Sequence, residues 1–305
     1  MSQSYAPSGE QWTIRYGDQH ATIVQVGGGI REYVVGGKPV LFGYDASAKA
    51  DAGRGQMLMP WPNRIRDGQY TFAGRDQQLA LSEPARANAS HGLVRWAIWT
   101  LESMEDSALT VTYSLLPQQG WDAALKLTMR YALGEDGLTV TPSATNVGDT
   151  AAPFGFGAHP YLTAGEPTVD EASLRLPAET LIRVDDRLIP NGSAPISPDL
   201  NFSALRSVGD VALDHAFTDL QPDDDGRWRV TIAYGGRVTT LWADASAYPY
   251  VQAFTGDSLP GGRSRATGIA VEPMTCPANA FATGDHLIVL EPGETWSAGW
   301  GVRAD

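Results

Sequence analysis

Leu109-Thr110-Val111-Thr112-Tyr113 alternates apolar and polar side chains, and the same alternation runs from Ala124 to Leu133 and from Leu138 to Thr145. A period of two puts one set of side chains on one face, the pattern of a half-buried strand. Glu135-Asp136-Gly137 is a tight turn, so the last two segments are antiparallel neighbours. The pattern extends outward in both directions. Upstream, Trp12 to Tyr16, Thr22 to Val26, Ile30 to Val35 and Val40 to Phe42 form a meander punctuated by Gly27-Gly28-Gly29 and Gly36-Gly37. A hairpin is predicted from Tyr70 to Leu81. Downstream, strands are predicted at Ser173 to Leu176, Leu181 to Val184, Trp228 to Tyr234, Val238 to Ala243 and Tyr250 to Thr255. Residues 164 to 210 are irregular but keep apolar side chains, as in an excursion over one face. Leu287 to Leu290 and Trp296 to Val302, around the Pro292-Gly293-Glu294 turn, read as a closing hairpin. Hardly any stretch has helical periodicity. With 33 Gly and 20 Pro the chain is built for turns. The expectation is all-β: about twenty short strands in one large, curved antiparallel β-sandwich, a single domain over residues 1–305.

Composition narrows the function. A chain of 305 residues with 43% hydrophobic and 19% charged residues folds around a sizeable core. Its net charge of −13 contains no basic run, which argues against nucleic acid as a partner. Cys276 is the only cysteine, which excludes an internal disulfide and a cysteine-based zinc site. The opening MSQSYAPSGEQW lacks the features of a signal peptide, and no apolar run approaches the ~18 residues of a membrane span. Cytoplasm is the expected compartment, and no membrane partner is expected.

Functional candidates lie where the alternation breaks. Met57-Leu58-Met59-Pro60-Trp61-Pro62-Asn63-Arg64 has two prolines around a tryptophan and reads as a loop presenting Asn63 and Arg64. His91-Gly92 ends a polar loop, and Arg95 and Trp96 are predicted to begin an alternating strand. In Phe154-Gly155-Phe156-Gly157-Ala158-His159-Pro160-Tyr161, Pro160 biases His159 toward an extended backbone. Two readings stand for His159: a core histidine satisfied by its neighbours, or a fixed group at the floor of a pocket. Asp214, in Leu213-Asp214-His215-Ala216-Phe217, is either a turn residue or part of that pocket. Glu272 stands in the apolar run Gly268-Ile269-Ala270-Val271-Glu272-Pro273, where a carboxylate must be paired or used, and Pro273 is expected to stop the strand.

Taken in order, Asn63-Arg64-Ile65, His91-Gly92, His159-Pro160-Tyr161, Asp214-His215-Ala216-Phe217, Val251-Gln252-Ala253-Phe254-Thr255-Gly256 and Glu272-Pro273 resemble the aldose 1-epimerase (mutarotase) family over nearly the full length. The resemblance implies an antiparallel supersandwich, no metal or organic cofactor, and exchange of the α and β anomers of a free hexose. It implies Glu272 as general base, His159 as general acid and His91 as the second active-site histidine. Arg64, Asp214 and Gln252 look like substrate-orienting residues, with Asn63 beside them. A small monosaccharide is the expected partner, with the chain a monomer or homodimer. As general acid His159 must be protonated, and a neighbouring Asp214 or Glu272 is expected to favour that charge.

Two departures bear on the sugar. Pro60-Trp61-Pro62 replaces a Gly-Arg pair common before the asparagine, and Leu93-Val94-Arg95-Trp96 follows His91-Gly92 where further glycines are usual. Both resemble specialised branches of the family, including one associated with sulfonated sugars. An anionic sugar is therefore an alternative substrate, with Arg64, Arg66, Arg95, Arg263 and Arg265 as possible partners. Arg95 is the first candidate among them; Arg263 and Arg265 read better as solvated charges. Trp61 and Trp96 are candidate stacking platforms for a sugar ring. Two further alternatives are a metal site built from His91, His159, Asp214 and Glu272, and a sugar-binding module without catalysis.

Overall fold

The computed structural model describes residues 6–259, 264–266 and 268–305. Among them are 28 strands, one α-helical turn, Ala280–Thr283, and three short 3-10 turns. Two large sheets contain most strands, one of 12 and one of 10, with every pairing antiparallel between neighbours. The strands read from alternation are there: Ala108–Leu115, Leu125–Gly134 and Gly137–Asn146 lie side by side in the smaller sheet. Along Leu125–Gly134 the odd-numbered side chains are buried and the even-numbered ones more exposed, as the period of two requires. Ile14, Ile23, Tyr33 and Val271 of one sheet share a core with Val111, Leu127, Val140 and Trp300 of the other. This is a large antiparallel β-sandwich.

Four sequence readings need correction. Arg95 and Trp96 do not begin a strand; they form a turn in which the Ala97 N–H bonds the Val94 carbonyl, and the strand starts at Thr100. The closing segment is not a hairpin. Ile288–Leu290 pairs with Ala152–Phe154, whereas Trp300–Ala304 inserts between Gly137–Asn146 and Arg237–Asp244. Asp214 is not in a turn but opens the strand Asp214–Leu220. Pro273 does not stop its strand, which runs from Ile269 to Met274 with Pro273 opposite Val251. The N–H groups of Val271 and Thr275 point at the carbonyls of Pro160 and Phe156. By the strand period, the donor that Pro273 lacks would face the same segment between them, where the ladder is already interrupted.

The central strands of the larger sheet are buried on both faces. Tyr250–Phe254 and Ile269–Met274 put Val251, Ala253 and Val271 into the core between the sheets. Their other face carries Gln252 and Glu272, directly opposite each other in register. That row continues outward through Ala216 to Ile182 on the next two strands. A carboxylate is thus placed on a sheet face that loops have sealed.

Candidate active site

Glu272 is 3% exposed and His159 6%. The His159 Nε2 atom stands 3.3 Å from Glu272 Oε1, while His159 Nδ1 and Glu272 Oε2 are buried without a partner. The histidine is held from several sides. Its backbone N–H bonds the Gln56 carbonyl, and its carbonyl accepts from the Gly55 N–H. Tyr161 stacks on the imidazole at 5.3 Å with 19° between the planes, and the Tyr161 hydroxyl donates to the Ala52 carbonyl. Gly53 follows with φ +76°, and a Cβ there would come within 2.5 Å of the His159 ring. Only glycine permits that approach. His91 meets His159 edge-on at 5.7 Å, its backbone left-handed at φ 62° and its N–H bonded to the Asn63 carbonyl.

A chain of polar contacts leads away from Glu272. Gln252 Nε2 donates to Asp214 Oδ1 at 2.8 Å, and Asn63 Nδ2 donates to Gln252 Oε1 at 3.4 Å. Arg64 Nη1 donates to Asn63 Oδ1 at 3.3 Å. The Arg64 guanidinium is forked onto Glu83 at 2.7 and 3.0 Å. Arg64 lies on the short strand Arg64–Arg66, paired with Asn88–Ser90, which delivers His91. One small two-stranded sheet therefore positions both groups. Glu83 is an orienting residue that the sequence reading missed; it sits in an ordinary polar loop, with no signal beyond the Pro84 that follows. Gly53 was missed for the same reason.

Burial dominates the electrostatics. It drives the His159 pKa down to about 3, with the positive charges of Arg95 and Arg64 adding to the effect. It drives Glu272 well above the ordinary carboxyl range, with Asp214 adding and Arg64 opposing. His91 is pushed down by burial, then by Arg95. Burial thus favours a neutral imidazole facing a protonated carboxyl and works against the imidazolium expected from the sequence. Moving one proton across the 3.3 Å contact converts this pair into imidazolium and carboxylate with no change in proton count.

The other candidates divide. Arg66 pairs with Asp185, and Arg265 with Asp170 and Asp257, so neither is a loosely solvated charge. Arg263 lies outside the described residues. Arg95 is half-buried, and partial loss of solvent lowers its pKa; among the described residues it has no carboxylate partner. Trp61 is no stacking platform: it is 2% exposed and packs on Phe281. Trp96 is 52% exposed beside Arg95, with no ring partner among the described residues. Phe154 and Phe156 are core residues. A Cβ at Gly157 would lie 2.7 Å from Pro62, so that glycine admits the Pro-Trp-Pro loop rather than a ligand. Among the described residues no three His, Cys, Asp or Glu side chains converge to share a metal ion. No helix among them is long and apolar enough to cross a membrane.

Known proteins share this arrangement at the level of sequence and fold. The sequence profile of the aldose 1-epimerase family matches residues 10–302. The uncharacterized protein YihR of Escherichia coli is 34% identical over 289 residues, covering 94% of this chain and 91% of that protein. Human galactose mutarotase is 26% identical over 259 residues, covering 77% and 73%. The crystal structure of a galactose mutarotase-like protein from Clostridium acetobutylicum superposes with a TM-score of 0.84 at 17% identity, covering 96% of this chain and 94% of that one. Match, relatives and fold agree: the chain belongs to the aldose 1-epimerase family.

Proposed function

We propose that this protein is an aldose 1-epimerase acting on a free hexose, with Glu272 and His159 as its acid–base pair. The observation that carries the reading is their buried 3.3 Å contact, each side chain keeping one polar atom without a partner. Anomer exchange removes a proton from the anomeric hydroxyl and adds one to the ring oxygen. Both oxygens hang on one carbon, so the base and the acid must stand side by side. In the ion-pair form, the Glu272 carboxylate takes the hydroxyl proton. The electrons of that O–H bond form the new C=O bond as the bond from the anomeric carbon to the ring oxygen breaks. His159 protonates the departing ring oxygen. Rotation about the bond to the aldehyde carbon and closure by the reverse steps give the other anomer. Ring opening leaves a protonated Glu272 and a neutral His159, the state that burial favours at rest. The pair then regains its starting form on closure.

Arg64, Asn63, Gln252 and Asp214 offer alternating donors and acceptors for the ring hydroxyls, and Glu83 fixes the fork of Arg64. His91 adds a further polar contact beside His159. No cofactor takes part in these steps.

An anionic hexose, phosphorylated or sulfonated, is a second reading favoured by one observation. Arg95 keeps its guanidinium near both histidines with no carboxylate to neutralise it. A half-buried cation without a carboxylate partner is free to bind an anion.

The test is anomer exchange followed by NMR and by polarimetry on freshly dissolved α-anomers, across neutral, phosphorylated and sulfonated hexoses. Acceleration over buffer is expected. No acceleration for any sugar would leave a binding module without catalysis.

A further inference from the structure

The polar row does not end at Asp214. Asn63, Arg64, Asp214 and Gln252 form one side of a small cavity whose other side is Ile182, Val184, Leu188, Pro190, Ala216 and Ala278. About 20 Å³ is free inside it, room for one group the size of a water or a methyl. Six of the ten lining residues are apolar.

The apolar wall is held under constraint. Leu188 has φ 59°, a left-handed backbone that bulky side chains seldom adopt. Asp185 fixes the turn, its carboxylate accepting from the N–H groups of Arg187 and Ile189 and from Arg66. Arg187 then fastens the turn to the neighbouring loops. It donates to Asp67 at 2.8 Å and to the carbonyls of Arg86 and Ala87 at 2.9 and 2.7 Å. The fold sustains an unfavourable conformation to keep Leu188 at this cavity.

The sheet supplies a ruler. Ile182, Ala216, Gln252 and Glu272 lie opposite one another on four adjacent strands. Strands are about 4.8 Å apart, so Ala216 is about 9.5 Å from Glu272. A hexose ring with its anomeric carbon at Glu272 reaches across Gln252. The ring edge opposite the anomeric carbon then faces the cavity.

We propose that this cavity is a subsite for a methyl-sized apolar substituent on that far ring edge. The inference rests on the acid–base roles given above, which set where the anomeric carbon lies. The substrate class is a free hexose bearing a methyl ether or methyl branch at carbon 3 or 4.

The experiment compares glucose and galactose with their 3-O-methyl and 4-O-methyl ethers. Exchange kinetics by NMR give kcat and KM, and calorimetry gives binding directly. For at least one methyl ether, KM and Kd are expected about fourfold below the parent sugar, the gain from burying one methyl group. Leu188→Ser and Ile182→Ser are expected to abolish that preference while kcat on the parent sugar stays within about twofold of wild type. Methyl ethers that all bind no better than their parents, or a preference that survives both variants, would overturn the subsite. Calorimetry reads the subsite even if no sugar is turned over, an outcome that would count against the acid–base roles instead.

Discussion

Glu272 and His159 face each other at 3.3 Å, and their substitutions separate chemistry from stability. Glu272→Gln and His159→Asn are each expected to lower turnover by at least about 10²-fold with the fold intact, read by NMR exchange rates and circular dichroism. Near-normal turnover in either variant removes that residue from the mechanism. Stability should move the other way. The folded carboxyl of Glu272 keeps a proton that the unfolded chain releases above about pH 4.5. Its contribution is therefore present below that pH and is lost as pH rises toward the raised folded pKa. Glu272→Gln lacks the loss, so urea unfolding should show it gaining on wild type at pH 7 but not at pH 4. His159 has the opposite sign. Its depressed pKa of about 3 means the unfolded chain takes up a proton first as pH falls below about 6.5. Wild type should lose stability relative to His159→Asn across that window. The identities of these two residues were legible in the sequence because each sits next to a proline at a break in an apolar pattern. The direction in which their pKa values move was not, since it depends on burial and on neighbours such as Arg95 that lie far away in the chain.

At the level of the element, the loop Ala52–Gly55 and the two-stranded sheet carrying Arg64 set the site's precision. Gly53→Ala would drive a methyl into the His159 ring in a backbone region alanine disfavours. A fall in kcat of about tenfold or more is expected with KM little changed, measured on the sugar that proves to be turned over. Glu83→Gln loosens the fork on Arg64 and should raise KM more than it lowers kcat. Arg95→Ala is expected to weaken binding of phosphorylated or sulfonated hexoses while leaving neutral ones within about twofold; equal loss for both would remove the anion role. Strands with clean alternation were predicted to within a residue or two, as with Leu138 to Thr145, observed as Gly137–Asn146. The segments around the site were not. Phe154 to Tyr161 is divided among three short strands, the first paired with Ile288–Leu290 and the other two with separate stretches of Ile269–Met274. Short runs of Gly and Pro carry too little period to show which neighbour each will choose. Arg95 and Trp96 failed for a related reason: their alternation with Ala97 and Ile98 is as compatible with a turn as with a strand.

Across the whole molecule, the sandwich was legible because nearly every segment repeats with period two and the turns are rich in glycine. The pairing order was not. It depends on contacts between residues more than a hundred positions apart, such as Leu138 with Val302. One cross-link between the sheets is open to a direct test. The buried Tyr131 hydroxyl, from the smaller sheet, donates to the Gly28 carbonyl in the loop joining two strands of the larger one. Tyr131→Phe leaves that carbonyl unsatisfied and should cost about 1–3 kcal/mol in urea unfolding.

The strand Ile269–Met274 has a consequence for how the chain acquires activity. On one side of it stand the meander and the His159 segment; on the other stand Tyr250–Phe254, Asp214–Leu220 and the outer strands. Neither half reaches the other without it. In the second sheet, Trp300–Ala304 bridges the two halves in the same way. Both bridging strands come after the strands they join. A nascent chain must therefore hold two unfinished half-sheets until each bridging strand arrives. Pairings this distant in sequence form slowly. Glu272 rides on the first of those strands, so recovery of activity on refolding is tied to the closing of the larger sheet.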